Sequence, residues 1–264
     1  MPQKPDAYYR PDNLPEALRL LSQPNVFVLA GGTNLLTGDV AGAVVDLQGL
    51  GLNQIQHTAV TLHLGATVTL ANLVDWLREQ ADPTGMAGLL LQAIRQAGPN
   101  TYRHAATVGG VIASRLPDSE LLAALLVLET GLEMQTPEPA SLTLADYLLA
   151  EERPSGLITH VVIPWGSGRF AAERVARTPA DAPIVSVTGW QPEGGRPRLA
   201  ATGIGPRPTR LAQAEAALAA GDAAAAVQAS QSAGHHPGDF RGDAAYRQEM
   251  TAVLARRVLA ELGE

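Results

Sequence analysis

The stretch Val28-Leu29-Ala30-Gly31-Gly32-Thr33-Asn34-Leu35-Leu36 leaves an apolar run through a pair of glycines. A similar stretch, Ala106-Thr107-Val108-Gly109-Gly110-Val111-Ile112-Ala113, lies far downstream. Glycine has no Cβ, so two of them after a buried strand let the backbone turn sharply and approach a ligand closely. Successive N–H groups exposed in such a turn form a concavity suited to phosphate oxygens. Two such loops suit both halves of a pyrophosphate, which points to a dinucleotide. Neither has the G-x-G-x-x-G spacing of the Rossmann fingerprint.

Upstream, Asn13-Leu14-Pro15-Glu16 reads as a helix start, with Asn13 as cap, Pro15 in the first turn and Glu16 able to reach back. Leu14, Ala17, Leu18 and Leu21 keep helical spacing, and Pro24-Asn25 ends the helix. Val26 to Ala30 is then a short buried strand, and Ala43 to Leu47 a second one whose apolar run Asp46 interrupts. From residue 55 the period changes: Val60, Leu62 and Leu64 alternate with Thr61 and His63, as in a strand. Thr69 predicts a capped helix through Leu70, Leu73, Val74 and Leu77, and Leu89 to Ala97 a further helix stopped by Gly98-Pro99. Asn100 to Ala106 leads into the second Gly-Gly loop. A helix follows from about Asp118 to Glu129, and Leu132 to Met134 and Leu157 to Ile163 read as strands. Pro164 to Gly168 marks a domain boundary. Beyond it come strands at Arg169 to Ala176, Ile184 to Trp190 and Arg198 to Ile204, the last two joined by the turn Pro192-Glu193-Gly194-Gly195. The tail reads as helices at about Thr209 to Ala219, Ala223 to Ser230 and Asp243 to Leu262.

Composition narrows the chemistry. A chain of 264 residues holds one large domain or two to three small ones. A net charge of −7 with no basic run argues against nucleic acid, whose phosphates require clustered Lys and Arg. The apolar stretches are far shorter than a membrane span and residues 1–10 lack a signal-peptide core, so the expected setting is the cytoplasm, without membrane insertion. Cys is absent, which excludes Cys-ligated iron–sulfur clusters, disulfides and thiol nucleophiles within this chain. No H-x₃-H or H-E-x-x-H spacing marks a metal site, and no G-x-S-x-G elbow marks a serine nucleophile. Redox chemistry, if present, comes with a cofactor. No side chain is marked as catalytic.

The order of these elements, with both Gly-Gly stretches in place, resembles the FAD-binding medium subunit of molybdenum hydroxylases of the xanthine dehydrogenase and aerobic carbon monoxide dehydrogenase type. The likeness runs over nearly the whole chain. Tyr8-Tyr9-Arg10-Pro11 and the Leu14-to-Leu21 helix resemble the family's entry, and Ala30 to Leu36 its first FAD loop. Leu64-Gly65-Ala66 resembles the opening strand of its second subdomain, and Arg103 through Thr107-Val108-Gly109-Gly110 its second FAD loop. Ile163-Pro164 and Arg177 fall where the family passes into its C-terminal domain, whose helices Gly205 to Glu215 and Phe240 through Tyr246-Arg247 to Arg257 resemble.

The resemblance implies an α+β fold: a two-subdomain FAD-binding part of the vanillyl-alcohol-oxidase (PCMH) type, and a C-terminal domain of small antiparallel sheet and helical bundle. The domains would span 1–165, with subdomains about 1–53 and 54–165, and 166–264. It implies FAD held by Leu29 to Leu36 and Ala106 to Gly110, with Glu120 on the cofactor's polyol chain. It implies a molybdopterin-binding large subunit and a [2Fe-2S] small subunit as partners, assembly as a dimer of heterotrimers, and electron flow from the clusters through FAD to an external acceptor.

Other readings stand beside these. Each Gly-Gly pair taken singly is an ordinary tight turn; the pair in order favours a cofactor. Glu120 reads equally as a first-turn acid placed well on the helix dipole. The chain departs from the family pattern at Val111, Leu116 and Glu173, and these departures motivate an alternative, a flavin-free scaffold subunit. A stand-alone flavin oxidase is a third reading, which the scattered His residues and absent Cys disfavour.

Overall fold

The computed structural model describes residues 4–80, 82–136 and 138–264. Residues 1–3, where the expected FAD-binding part begins, and residues 81 and 137 lie outside the described residues. The first part contains β1 (Ala7–Tyr9), α1 (Leu14–Leu21), β2 (Val26–Leu29) and β3 (Ala43–Asp46). Its strands form a three-stranded parallel sheet in the order β1-β3-β2. Asn13 caps α1, its side-chain oxygen accepting the Glu16 N–H at 3.0 Å. Asp46, which breaks the apolar run of β3, is 3% exposed. It accepts the Tyr8 hydroxyl and the Gln48 N–H, so it ties β1 to β3 and starts the single helical turn Leu47–Leu50.

The second part runs β4 (Ile55–His57), β5 (Thr61–Gly65), α2 (Leu70–Arg78), α3 (Met86–Gln96), α4 (Asn100–Ala105), α5 (Val108–Ser114), α6 (Glu120–Val127), β6 (Gly131–Gln135), β7 (Pro139–Thr143), α7 (Leu144–Leu149) and β8 (Leu157–Pro164). The strands form a five-stranded antiparallel sheet in the order β4-β5-β8-β6-β7. Leu62 and Leu64 of β5 are fully buried while Thr61 and His63 are not, as the alternation predicts. Thr69 caps α2 by accepting the Asn72 N–H at 3.1 Å. Helices α2, α3, α5 and α6 bury Leu73, Leu77, Leu90, Ile94, Ile112 and Leu122 in one core with this sheet.

The structure corrects the sequence reading at several places. Val26 to Leu29, expected as a buried strand, leaves Phe27 and Val28 39% and 40% exposed, and Thr209 and Arg210, expected in a helix, form a short strand. Asn100 to Ala105 is a helix, and Gly109-Gly110 does not turn away from a strand but lies in the first turn of α5. Glycine costs about 1 kcal/mol relative to Ala inside a helix, so local propensity does not build α5. Contacts from outside the segment do. The Val108 and Gly109 N–H groups bond the Val68 and Ala66 carbonyls at 2.9 and 3.0 Å. Thr107 Oγ1 accepts the Gly110 N–H at 3.1 Å. A Cβ on Gly109 would stand 2.7 Å from the Ala66 Cβ, so glycine is what lets α5 settle against the exit of β5. Strand β7 and helix α7 also arise where the sequence reading placed no element.

The third part contains β9 (Gly168–Val175), β10 (Val185–Pro192), β11 (Arg198–Thr202), β12 (Thr209–Arg210), α8 (Ala212–Ala219), α9 (Ala223–Ser232), β13 (Gly238–Asp239), β14 (Gly242–Asp243) and α10 (Ala244–Leu262). Its four-stranded antiparallel sheet, β12-β11-β10-β9, is covered on both faces. Val185, Val187, Leu199 and Ala201 pack with the α10 residues Leu254, Val258 and Leu259. Trp190 and Ala200, on the other face, belong to the core of the second part. Along β10, Val185 and Val187 alternate with Ser186 and Thr188, yet all four are buried because the sheet is covered on both faces, and the Ser186 hydroxyl is satisfied by the Thr202 hydroxyl at 2.7 Å.

Candidate functional site

A cleft of about 600 Å³ opens between the parallel sheet and the second part. One wall is β2 and the chain leaving it, Ala30 to Leu35. Another is the start of α5, at Thr107, Gly109 and Gly110. Tyr147, Arg153, Leu157 and Ile158 also line it. The two quoted stretches are therefore neighbours in space. A Cβ on Gly31 would lie 1.9 Å from the Ala105 carbonyl oxygen, so only glycine fits where the loops touch. Gly32 has φ +71, the left-handed region that L side chains rarely adopt.

The two stretches offer different chemistry. In the first, the N–H groups of Gly31, Gly32, Thr33 and Asn34 donate to no atom of the described residues. The turn is closed instead from the carbonyl side, by Leu36 N–H on Gly32 O at 3.0 Å and Thr37 N–H on Asn34 O at 3.3 Å. Successive amides at a cleft wall that bond nothing among the described residues are available as donors to whatever enters the cleft. In the second stretch the Val108, Gly109, Gly110 and Val111 N–H groups are all bonded inside the chain. Its contribution is close approach and a fixed wall, not a set of free donors.

Of the residues expected at the site, Ala30, Gly31, Gly32, Thr33, Asn34, Leu35, Thr107, Gly109 and Gly110 line the cleft. Leu29, Leu36, Ala106, Val108 and Glu120 are not among its lining. Ala106 and Val108 are core residues. Glu120 opens α6 and sits 3.4 Å from the Arg174 Nε. Burial pushes its carboxyl up to about 7, against the lowering effect of Arg174. Arg174 also donates to Gln96 Oε1 at 2.9 Å, to the Pro179 carbonyl at 3.1 Å and to the Asp181 carbonyl, so it fastens the turn after β9 onto α3 and α6.

The departures from the family pattern also find places. Val111 is buried in the core. Leu116 is exposed between α5 and α6. Glu173 pairs with Arg257 of α10 at 3.4 Å, which accounts for its charge within the third part. Phe27, Tyr147, Arg153 and Leu157 line the cleft without having been singled out by sequence. Arg153 stands in Glu151-Glu152-Arg153-Pro154, a stretch with no periodicity, and gives no local signal. Among the described residues no group of three or more His, Asp or Glu could hold a metal ion. Nor is any helix long and apolar enough to cross a membrane.

The fold is thus three packed parts, with a cleft between the first two and, along one wall, a run of backbone amides that make no bond among the described residues. Residues 3–166 match the family described as the FAD binding domain in molybdopterin dehydrogenase, and residues 193–262 the CO dehydrogenase flavoprotein C-terminal domain. The chain belongs to this family: it is an FAD-binding medium subunit of the molybdopterin-dependent hydroxylase type and a component of an oxidoreductase. The uncharacterized protein YgfM of Escherichia coli (strain K12) is 28% identical over 265 residues, covering 97% of this chain and 96% of YgfM. Among solved structures, reconstituted CO dehydrogenase from Oligotropha carboxidovorans superposes with a TM-score of 0.86 at 22% identity, over 99% of this chain and 98% of that one. Quinoline 2-oxidoreductase from Pseudomonas putida 86 gives 0.84 at 20% identity, over 99% and 98%. These likenesses establish the α+β architecture across the full length of the chain.

Proposed function

We propose that this chain is the electron-relay subunit of a molybdenum hydroxylase complex, holding FAD in the cleft between its first two parts. The observation that carries the placement is the run of N–H groups from Gly31 to Asn34 that bond nothing among the described residues, set where Gly31 meets the Ala105 carbonyl. These amides bind the pyrophosphate. Thr107, Gly109 and Gly110 form the wall behind it, and Leu157 and Ile158 give apolar surface for the organic part. Bound FAD supplies the redox chemistry that lets electrons from partner iron–sulfur clusters leave to an external acceptor. The chain's own residues bind and orient. The partners are a molybdopterin-binding large subunit and a [2Fe-2S] small subunit, joined as a dimer of heterotrimers in the cytoplasm. The lack of Cys supports that division of labour, since the clusters must then sit on another polypeptide.

The test is the visible spectrum of the purified chain after FAD addition and desalting. Flavin bands near one equivalent are expected in the wild type. They are expected to be absent in Gly32→Val, whose side chain cannot adopt φ +71 without strain. Equal flavin content in both would remove the first loop from the site. A folded, colourless wild type, alone and with its partners, would leave the flavin-free scaffold as the reading.

A further inference from the structure

Arg153 is the one charged side chain among the residues lining the cleft. It makes no hydrogen bond or ion pair among the described residues. It follows a short segment that is held with unusual emphasis. Arg115 donates to the Leu148 carbonyl at 2.9 Å and to that of Ala150. Arg207 donates to the same two carbonyls, at 2.6 Å for Leu148, and to Glu151 O at 2.8 Å. Neither arginine has a carboxylate partner among the described residues, although the chain as a whole carries −7. Both guanidiniums thus serve backbone oxygens at the end of α7, immediately before Arg153.

We propose that Arg153 supplies the positive charge that holds the cofactor's diphosphate in this cleft, on a segment positioned by Arg115 and Arg207; this rests on the FAD reading above. Three features converge on it. The Gly31-to-Asn34 amides are neutral donors, so they leave the charge of a diphosphate uncompensated. The rest of the lining is uncharged. An arginine fork matches phosphate oxygens in geometry as well as charge. The ligand class is a nucleoside diphosphate group, whether it belongs to FAD or to free ADP.

The full-length chain is titrated with FAD, followed by flavin fluorescence, and with ADP and riboflavin followed by calorimetry. Arg153→Gln is expected to raise the Kd for FAD and for ADP about tenfold, an effect of the size of one charge-assisted contact. Riboflavin binding and the melting temperature stay as in the wild type. Arg153→Lys recovers part of the affinity, and the gap between wild type and Arg153→Gln narrows in high salt. Wild-type affinity for FAD and ADP in Arg153→Gln, with binding lost in Gly32→Val, would overturn the role of Arg153 and leave the cleft as the FAD site. Loss of riboflavin binding together with FAD and ADP would make Arg153 structural and overturn the proposal as well. If the wild-type chain binds neither FAD nor ADP, the FAD reading itself fails, and the assignment of Arg153 with it.

Discussion

Glu120, read from sequence equally as a contact to the cofactor's polyol chain and as a first-turn helix acid, owes its electrostatics to burial that only the structure shows. As the first residue of α6 it is where a helix favours an acid, and its Ser119 neighbour caps the helix through the Leu122 N–H at 3.3 Å. What sequence does not show is the burial that raises its carboxyl from 4.5 to about 7. The consequence for stability has a definite sign. Between those two values the native chain holds a proton that the unfolded chain has released, so stability falls as pH rises through the window. Glu120→Gln stays neutral, and Arg174 keeps its other acceptors. The variant is therefore expected to match wild type near pH 4.5 and to be the more stable of the two at pH 8. Urea denaturation at the two pH values checks this; an unchanged difference between them would mean that Glu120 titrates as an ordinary exposed acid.

At the scale of elements, legibility followed the range of the forces involved. Helices α1 and α2 announced themselves because their caps, Asn13 and Thr69, and their apolar spacing are all local. Helix α5 did not, because its Val-Gly-Gly-Val start has poor intrinsic propensity and is held by carbonyls of Val68 and Ala66 in a distant segment. Strand β7 opens on Pro139, which donates nothing to a ladder, and its residues are mostly exposed at the sheet edge, so no alternation marks it. The same division holds for the candidate site. The Gly-Gly pairs were visible as residues, but which pair keeps its amides free depends on partners far along the chain. Within α5 the local term that remains is the cap. Thr107→Ala removes the acceptor for the Gly110 N–H and is expected to cost about 1 kcal/mol in denaturant unfolding. Thr107→Ser keeps the oxygen and should recover most of that loss. Equal stability of Ala and Ser variants would mean that the Val68 and Ala66 carbonyls alone fix the helix start.

For the molecule as a whole, the third part is not an appendage. Its sheet gives Trp190 and Ala200 to the core of the second part and presents Val185, Val187 and Leu199 to α10 on the other face. One side chain gathers much of this arrangement. Arg247 of α10, 1% exposed, donates to the Ile184 carbonyl at 2.6 Å, the Gly203 carbonyl at 2.7 Å, the Gly242 carbonyl at 3.2 Å and Asp239 Oδ1 at 2.7 Å. It thereby joins the ends of β10 and β11 to the β13–β14 hairpin. Burial alone would raise the Asp239 carboxyl, yet the bonds from Arg247 and Arg241 hold it well below the usual carboxylate range. Removing Arg247 leaves the Ile184 and Gly203 carbonyls buried without that donor while Asp239 keeps its bonds from Arg241, so Arg247→Ala is expected to cost about 2–6 kcal/mol. Because the sheet is shared between cores, the loss should lower one cooperative thermal transition of the entire chain, with flavin released in the same step. Calorimetry of the FAD-loaded variant distinguishes the cases: an early transition of the third part alone, with flavin still bound, would show that the shared face does not couple the proposed FAD cleft to the C-terminal helices.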